Sequence, residues 1–82
     1  MSEVRVIKAF SNDTEWLVWV IPIHWFSLPE FQAAFGVQDP NDPMYDCWLV
    51  KPEHLPFLEK YVSNPHGWNF EAESYFVECD AA

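Results

Sequence analysis

Apolar positions along the chain fall into short runs with two different periods, separated by clusters of Asn, Asp, Pro and Gly. From Glu3 to Phe10, β-branched residues alternate imperfectly with polar ones, which predicts a first strand. The cluster "SNDT" at Ser11 to Thr14 supplies short polar side chains that bond their own backbone and tolerate turns. Trp16 to Ile21 resumes the strand pattern, so the two runs predict a β-hairpin. Both faces of the second run are apolar, with Trp16, Val18 and Val20 on one side and Leu17, Trp19 and Ile21 on the other. Such a strand is expected at the centre of a sheet, or with one of its faces covered by something else.

The period then lengthens. "SLPE" at Ser27 to Glu30 has the form of a capping box, and Leu28, Phe31 and Phe35 follow at helical spacings, with Gly36 placed to end the helix in a left-handed conformation. Val37 to Met44, rich in Pro and Asp, reads as a loop, and Tyr45 to Val50 as a third strand. Pro52 opens a second helix where a missing N–H costs little; Leu55, Leu58 and Tyr61 or Val62 form its apolar stripe. Pro56 falls inside that helix and predicts that it is short or irregular. After a loop at Ser63 to Asn69, the stretch "ESYFVECD" from Glu73 to Asp80 reads as the last strand. It has Tyr75, Val77 and Cys79 on one face and Ser74, Phe76, Glu78 and Asp80 on the other. The order ββαβαβ predicts one α+β domain over residues 1–82: a four-stranded, mainly antiparallel sheet with two short helices packed on one face.

Two short helices leave the other sheet face open, and that face carries mixed chemistry. Phe76 shares it with Glu78 and Asp80. The third strand adds either Asp46, Trp48 and Val50 or, in the reverse phase, Tyr45, Cys47 and Leu49. Both phases place apolar area beside carboxylates, which suits a cationic protein partner: the apolar groups give desolvated contact and the acids give steering and charge-assisted bonds. The alternative is that Trp48 and Phe76 lie under the Ser63 to Asn69 loop, sealed by Trp68.

Charge sharpens this picture. Thirteen Asp and Glu face four Lys and Arg, a formal charge of −9, so phosphate backbones and anionic membranes are disfavoured partners and a basic protein is the natural one. Neither a signal-peptide pattern nor an apolar run long enough to span a bilayer is present, and a cytoplasmic location is expected, with Cys47 and Cys79 as thiols. His24, His54 and His66 have no zinc-site spacing with Cys, Asp or Glu, and the two glycines form no phosphate loop, so neither metal nor cofactor is expected. A Cys47 nucleophile with His54 as base lacks any activating basic surrounding. The chain reads as a binding protein rather than an enzyme.

Several segments resemble the cloacin and ribonuclease-colicin immunity proteins, small acidic proteins that neutralise a nuclease toxin. They are "FSNDTE" at Phe10 to Glu15, "FGV" at Phe35 to Val37, "CW" at Cys47 and Trp48, "LPFLEKY" at Leu55 to Tyr61 and "SYFVECD" at Ser74 to Asp80. The Trp16 to Phe26 segment is more apolar than that family's pattern, and Pro52 and Pro56 depart from it. The resemblance implies a four-stranded antiparallel sheet whose acidic face binds a basic ribonuclease domain without chemistry. It carries Asp46, Cys47, Trp48, Phe76, Glu78 and Asp80 over as toxin-contacting residues, with Cys47 in the region that discriminates between partners. Combined with the charge pattern, the expected toxin-binding set is Asp42, Asp46, Cys47, Trp48, Phe76, Glu78 and Asp80. In that set the acids provide complementarity, and Trp48 and Phe76 serve as anchors. The expected partner is a cognate basic nuclease toxin of the bacteriocin or contact-dependent growth inhibition kind, bound one to one by a monomer. The other classes consistent with the residues are a nucleic-acid mimic acting on another basic enzyme and a plain interaction domain.

Overall fold

The structure is a computed structural model and describes residues 3–81. Strand β1 (Glu3–Ser11) turns through Asn12 to Thr14 into β2 (Leu17–Pro22). The turn forms because the Ser11 Oγ accepts the backbone N–H groups of Asp13 and Thr14, each at 3.1 Å. Helix α1 (Leu28–Ala34) follows, then a two-residue strand β3 (Trp48–Leu49), a 3₁₀ turn (Pro52–His54) running into the short helix α2 (Leu55–Leu58), and β4 (Glu73–Ala81). The sheet order is β2-β1-β4-β3 with every neighbouring pair antiparallel, so the α+β class and the four-stranded antiparallel sheet are as the periodicity predicts.

Register decides which side chains share a face. Ile7 pairs with Ile21 and Val77, and Ala9 with Trp19 and Tyr75; all of these are buried, together with Phe31 of α1, Met44, Leu58 of α2 and Val62. This is the covered face. Its centre is aromatic: Trp19 stacks on Tyr75 with centroids 5.4 Å apart, and Trp68 meets Tyr75 edge to face at 4.9 Å. Trp68 and its loop therefore seal the helix side of the sheet and not the open side, because Trp19 and Tyr75 offer them a ready apolar floor.

Several local expectations are corrected by longer-range contacts. Ser27 is the N-cap of α1, but no side-chain capping bond forms, and the Glu30 carboxylate accepts the Tyr61 hydroxyl instead of returning to the cap. Val37 N–H donates to the Gln32 carbonyl at 2.9 Å across Gly36 at φ +69°, the wrap-around closure expected of a left-handed glycine. The third strand is shorter than Tyr45 to Val50. Met44 is buried with φ +56°, held there by Asp42, whose Oδ1 accepts the Met44 N–H at 2.8 Å. Arg5 holds the same turn through the Pro43 and Met44 carbonyls at 2.9 and 3.0 Å, so the chain is not free to run extended until Trp48. Most consequentially, β2 is not central but an edge strand: Trp19 and Ile21 are buried on the covered face, while Leu17, Val18 and Val20 are exposed at 51%, 49% and 42% with nothing over their side among the described residues.

Candidate functional site

The open face is built by the alternate residues of the same strands. One row crosses the whole sheet, Val20 to Lys8 to Phe76 to Leu49; beside it Val6 lies between Pro22 and Glu78, Val4 beside Asp80, and Phe10 between Leu17 and Ser74. Val6 is buried yet lies outside the core cluster of the covered face, as expected of a residue flanked on the opposite side by strand neighbours. Phe76 packs edge to face on Phe10 with centroids 5.8 Å apart. Both residues are half-buried, with the Asn12 and Glu15 turn on one side and Cys47 on the other.

A cleft of about 440 Å³ opens over Phe10 and Phe76. Ser11, Asn12, Glu15 and Ser74 supply its polar lining at the hairpin end, and Cys47 and Glu78 supply it on the β3 side. The polar end is fixed: the Asn12 amide donates to the Phe70 and Glu71 carbonyls while its oxygen accepts the Ser74 hydroxyl. Glu15 sits in the hairpin with φ +64°, exposed at the mouth of the cleft.

Lys8 organises the acids. Its Nζ lies 3.2 Å from Glu78 and 3.0 Å from Asp80, and its pKa is raised, chiefly by the hydrogen bond to Asp80 against an opposing desolvation. Two carboxylates on one ammonium leave the cluster with net negative charge. Glu78 also stands beside Cys47, whose pKa is raised by partial desolvation first and by that carboxylate second, so the group remains a thiol.

Of the seven expected residues, Cys47, Phe76 and Glu78 meet in the cleft, and Asp80 joins them through Lys8. The reverse phase of the third strand is the one adopted: Leu49 pairs with Phe76 on the open face, while Trp48 pairs with Val77 and packs against the core. Trp48 is thus on the opposite side from Phe76, its buried indole N–H without a hydrogen-bond partner among the described residues. Asp46 is exposed just before β3. Asp42 is spent on the Met44 turn, and its carbonyl accepts the Gln32 amide at 2.8 Å. Lys8, Phe10 and Glu15 were missed by sequence reasoning. The first two carried a usable signal, since Val4, Val6, Lys8 and Phe10 alternate against Arg5, Ile7 and Ala9.

His54 lines a different hollow, with Trp48, Lys51 and Phe35, so it is not the partner of Cys47. Its ring stacks on Phe35 at 4.2 Å and its Nδ1 accepts the Lys51 N–H at 2.9 Å. Desolvation depresses its pKa below the ordinary 6.5. Unfolded chains take up a proton there near the ordinary value and folded ones only at lower pH, so stability declines as pH falls below about 6.5. Urea midpoints measured between about pH 7 and pH 5 are expected to decrease, and His54→Gln to flatten the decrease. An unchanged slope in the variant would exclude His54 as its source.

Among the described residues no group of three His, Cys, Asp or Glu is placed to hold a metal ion, and no helix is long and apolar enough to cross a membrane. A family model for a domain of unknown function, DUF7683, matches residues 4–78. The chain belongs to the DUF7683 family. The match takes in the hairpin, both helices, β3 and β4 as far as Glu78, so it includes every residue lining the open-face cleft of this DUF7683 domain. No curated protein and no solved structure matches the chain.

Proposed function

We propose that this chain is an immunity-type protein that binds and neutralises a basic bacterial nuclease toxin, a ribonuclease, through non-catalytic contact with the open sheet face. The observation that carries the reading is the open-face cleft in which the Phe10 and Phe76 rings lie between Glu15 and Glu78, on a chain of net charge −9. An aromatic floor with carboxylates at either side suits a guanidinium or ammonium group, which gains cation–π attraction from the rings and charge-assisted bonds from the acids. The resemblance to ribonuclease-colicin immunity proteins supports the same assignment, since its residues Cys47, Phe76, Glu78 and Asp80 fall on this face. Inhibition follows from occlusion: a partner whose basic surface is covered by an acidic sheet loses access to RNA.

The test is co-expression with the C-terminal domain of the protein encoded immediately upstream. Growth should be rescued by the wild-type chain, and the two should co-purify. Their association rate should fall about tenfold or more as salt rises past the Debye screening range. A toxic neighbour that is neither captured nor neutralised would reject the assignment, as would an association rate indifferent to salt.

A further inference from the structure

Hydrogen bonding within the fold narrows what the cleft over Phe10 and Phe76 can hold. Its side-chain donors are nearly all spent. The Asn12 amide group donates to the Phe70 and Glu71 carbonyls, and the Ser74 hydroxyl donates to the Asn12 oxygen. The Cys47 S–H lies against the Glu78 carboxylate. Ser11 Oγ receives the N–H groups of Asp13 and Thr14, so its own proton is the side-chain donor left over. Acceptors are in surplus. Glu15 is exposed at the hairpin end and makes no ion pair among the described residues. Glu78 bonds Lys8 through Oε1, and Lys8 is not part of the cleft lining, so that ammonium does not fill the site.

The result is a cleft with an aromatic floor and acceptors at both ends. An anion or a carbonyl finds one hydroxyl to bond it, and an uncharged apolar group would press against carboxylates without pairing them. The occupant must therefore be a cation, and the floor decides which. An ammonium is compact and strongly hydrated, and lying on a ring costs it water. A guanidinium is flat, weakly hydrated and carries its donors at its edge, so it stacks on an aromatic ring and bonds acceptors in its own plane at the same time. The volume of about 440 Å³ is that of a site for one small group and not for a helix or strand.

We infer that the cleft is an arginine-selective anchor site: it takes one arginine side chain of the partner, with the guanidinium over the floor of Phe10 and Phe76 and its edge toward the flanking carboxylates of Glu15 and Glu78, and it discriminates against lysine in the same place. The inference rests on the proposed function only for a basic protein as the source of that side chain. It also gives the hairpin turn a task, because Ser11 Oγ closes the turn from which Glu15 reaches the mouth of the cleft.

Two-dimensional NMR of the full chain, titrated with N-acetyl-arginine amide and separately with N-acetyl-lysine amide, tests the site apart from any partner, since the two probes carry the same charge. The arginine probe should shift the ring signals of Phe10 and Phe76 and the backbone signal of Glu15, and bind about five- to tenfold more tightly than the lysine probe. Phe76→Leu keeps an apolar floor but removes one ring, and should bring the two probes within about twofold of each other. Phe10→Leu serves the same end if the first variant loses the wild-type circular dichroism spectrum. Glu15→Gln should weaken both probes by a similar factor and leave the preference in place. Equal binding of the two probes by the wild type overturns the inference, as do shifts that bypass Phe10 and Phe76 up to about 50 mM probe, or a preference that survives the loss of either ring. Failure of the proposed function reads differently: the arginine probe is held in the cleft of a chain that neither captures nor neutralises the domain encoded upstream.

Discussion

Tyr75→Ala is expected to unfold this domain, or to leave it only marginally folded at room temperature. Tyr75 is fully buried in β4, where its ring meets Trp19, Trp68 and Phe70 at centroid distances of 5.4, 4.9 and 5.1 Å. Its hydroxyl accepts the Asn69 N–H at 2.6 Å and donates to Glu73 at 2.8 Å, tying the last loop to the strand that follows it. Removing a buried aromatic costs about 3–5 kcal/mol. A chain of 82 residues has about 4–12 kcal/mol in all. The melting temperature should fall by roughly 12–40 °C. Tyr75→Phe keeps the ring and loses only the hydroxyl, so its cost is about 1–2 kcal/mol. Thermal melts of the pair separate ring packing from the hydrogen bonds. Equal losses in the two variants would show that the hydroxyl, not the ring, holds the loop.

The same residue illustrates what the sequence made legible. Alternation in "ESYFVECD" is enough to send Tyr75 and Val77 inward and Phe76 and Glu78 outward, because a strand has a fixed period of two and apolar burial picks the phase. The helices were legible for similar reasons: Phe31 is the buried residue of α1, and Pro52 and Pro56 confine the second helix to a 3₁₀ turn and four α-helical residues.

What was not legible depends on partners distant in sequence. Trp48 sits in a strand only two residues long, too short for alternation to fix its phase; pairing with Val77 does so instead. The apolar character of β2 pointed to a central strand, yet that position went to β1 and β4, which pair along nine residues each. Lys8 is separated by 72 residues from Asp80, and only the β1–β4 register brings them to 3.0 Å. No local pattern contains that contact. Its consequence is large for the site, because the acids expected to face a partner unassisted are instead gathered and oriented by a lysine of the protein itself.

That arrangement makes Glu78 the residue whose reversal has the largest expected effect on binding. Glu78→Lys replaces a carboxylate shared by Lys8 and the cleft with a second ammonium, leaving Asp80 as the one acid of the cluster. Loss of a partly buried charge partner at a protein interface costs about 2–5 kcal/mol. Capture of the proposed basic partner should therefore weaken about 30-fold to several thousand-fold. Glu78→Gln separates charge from fold. Lys8 keeps its bond to Asp80, so the melting curve should move little, while binding should fall by less than in the lysine variant. Glu15→Lys, at the opposite side of the cleft, provides a reversal that disturbs no internal ion pair among the described residues. If both lysine variants fold and still bind that partner as the wild type does, the cleft is not the binding surface, and the apolar row from Val20 to Leu49 must be probed in its place.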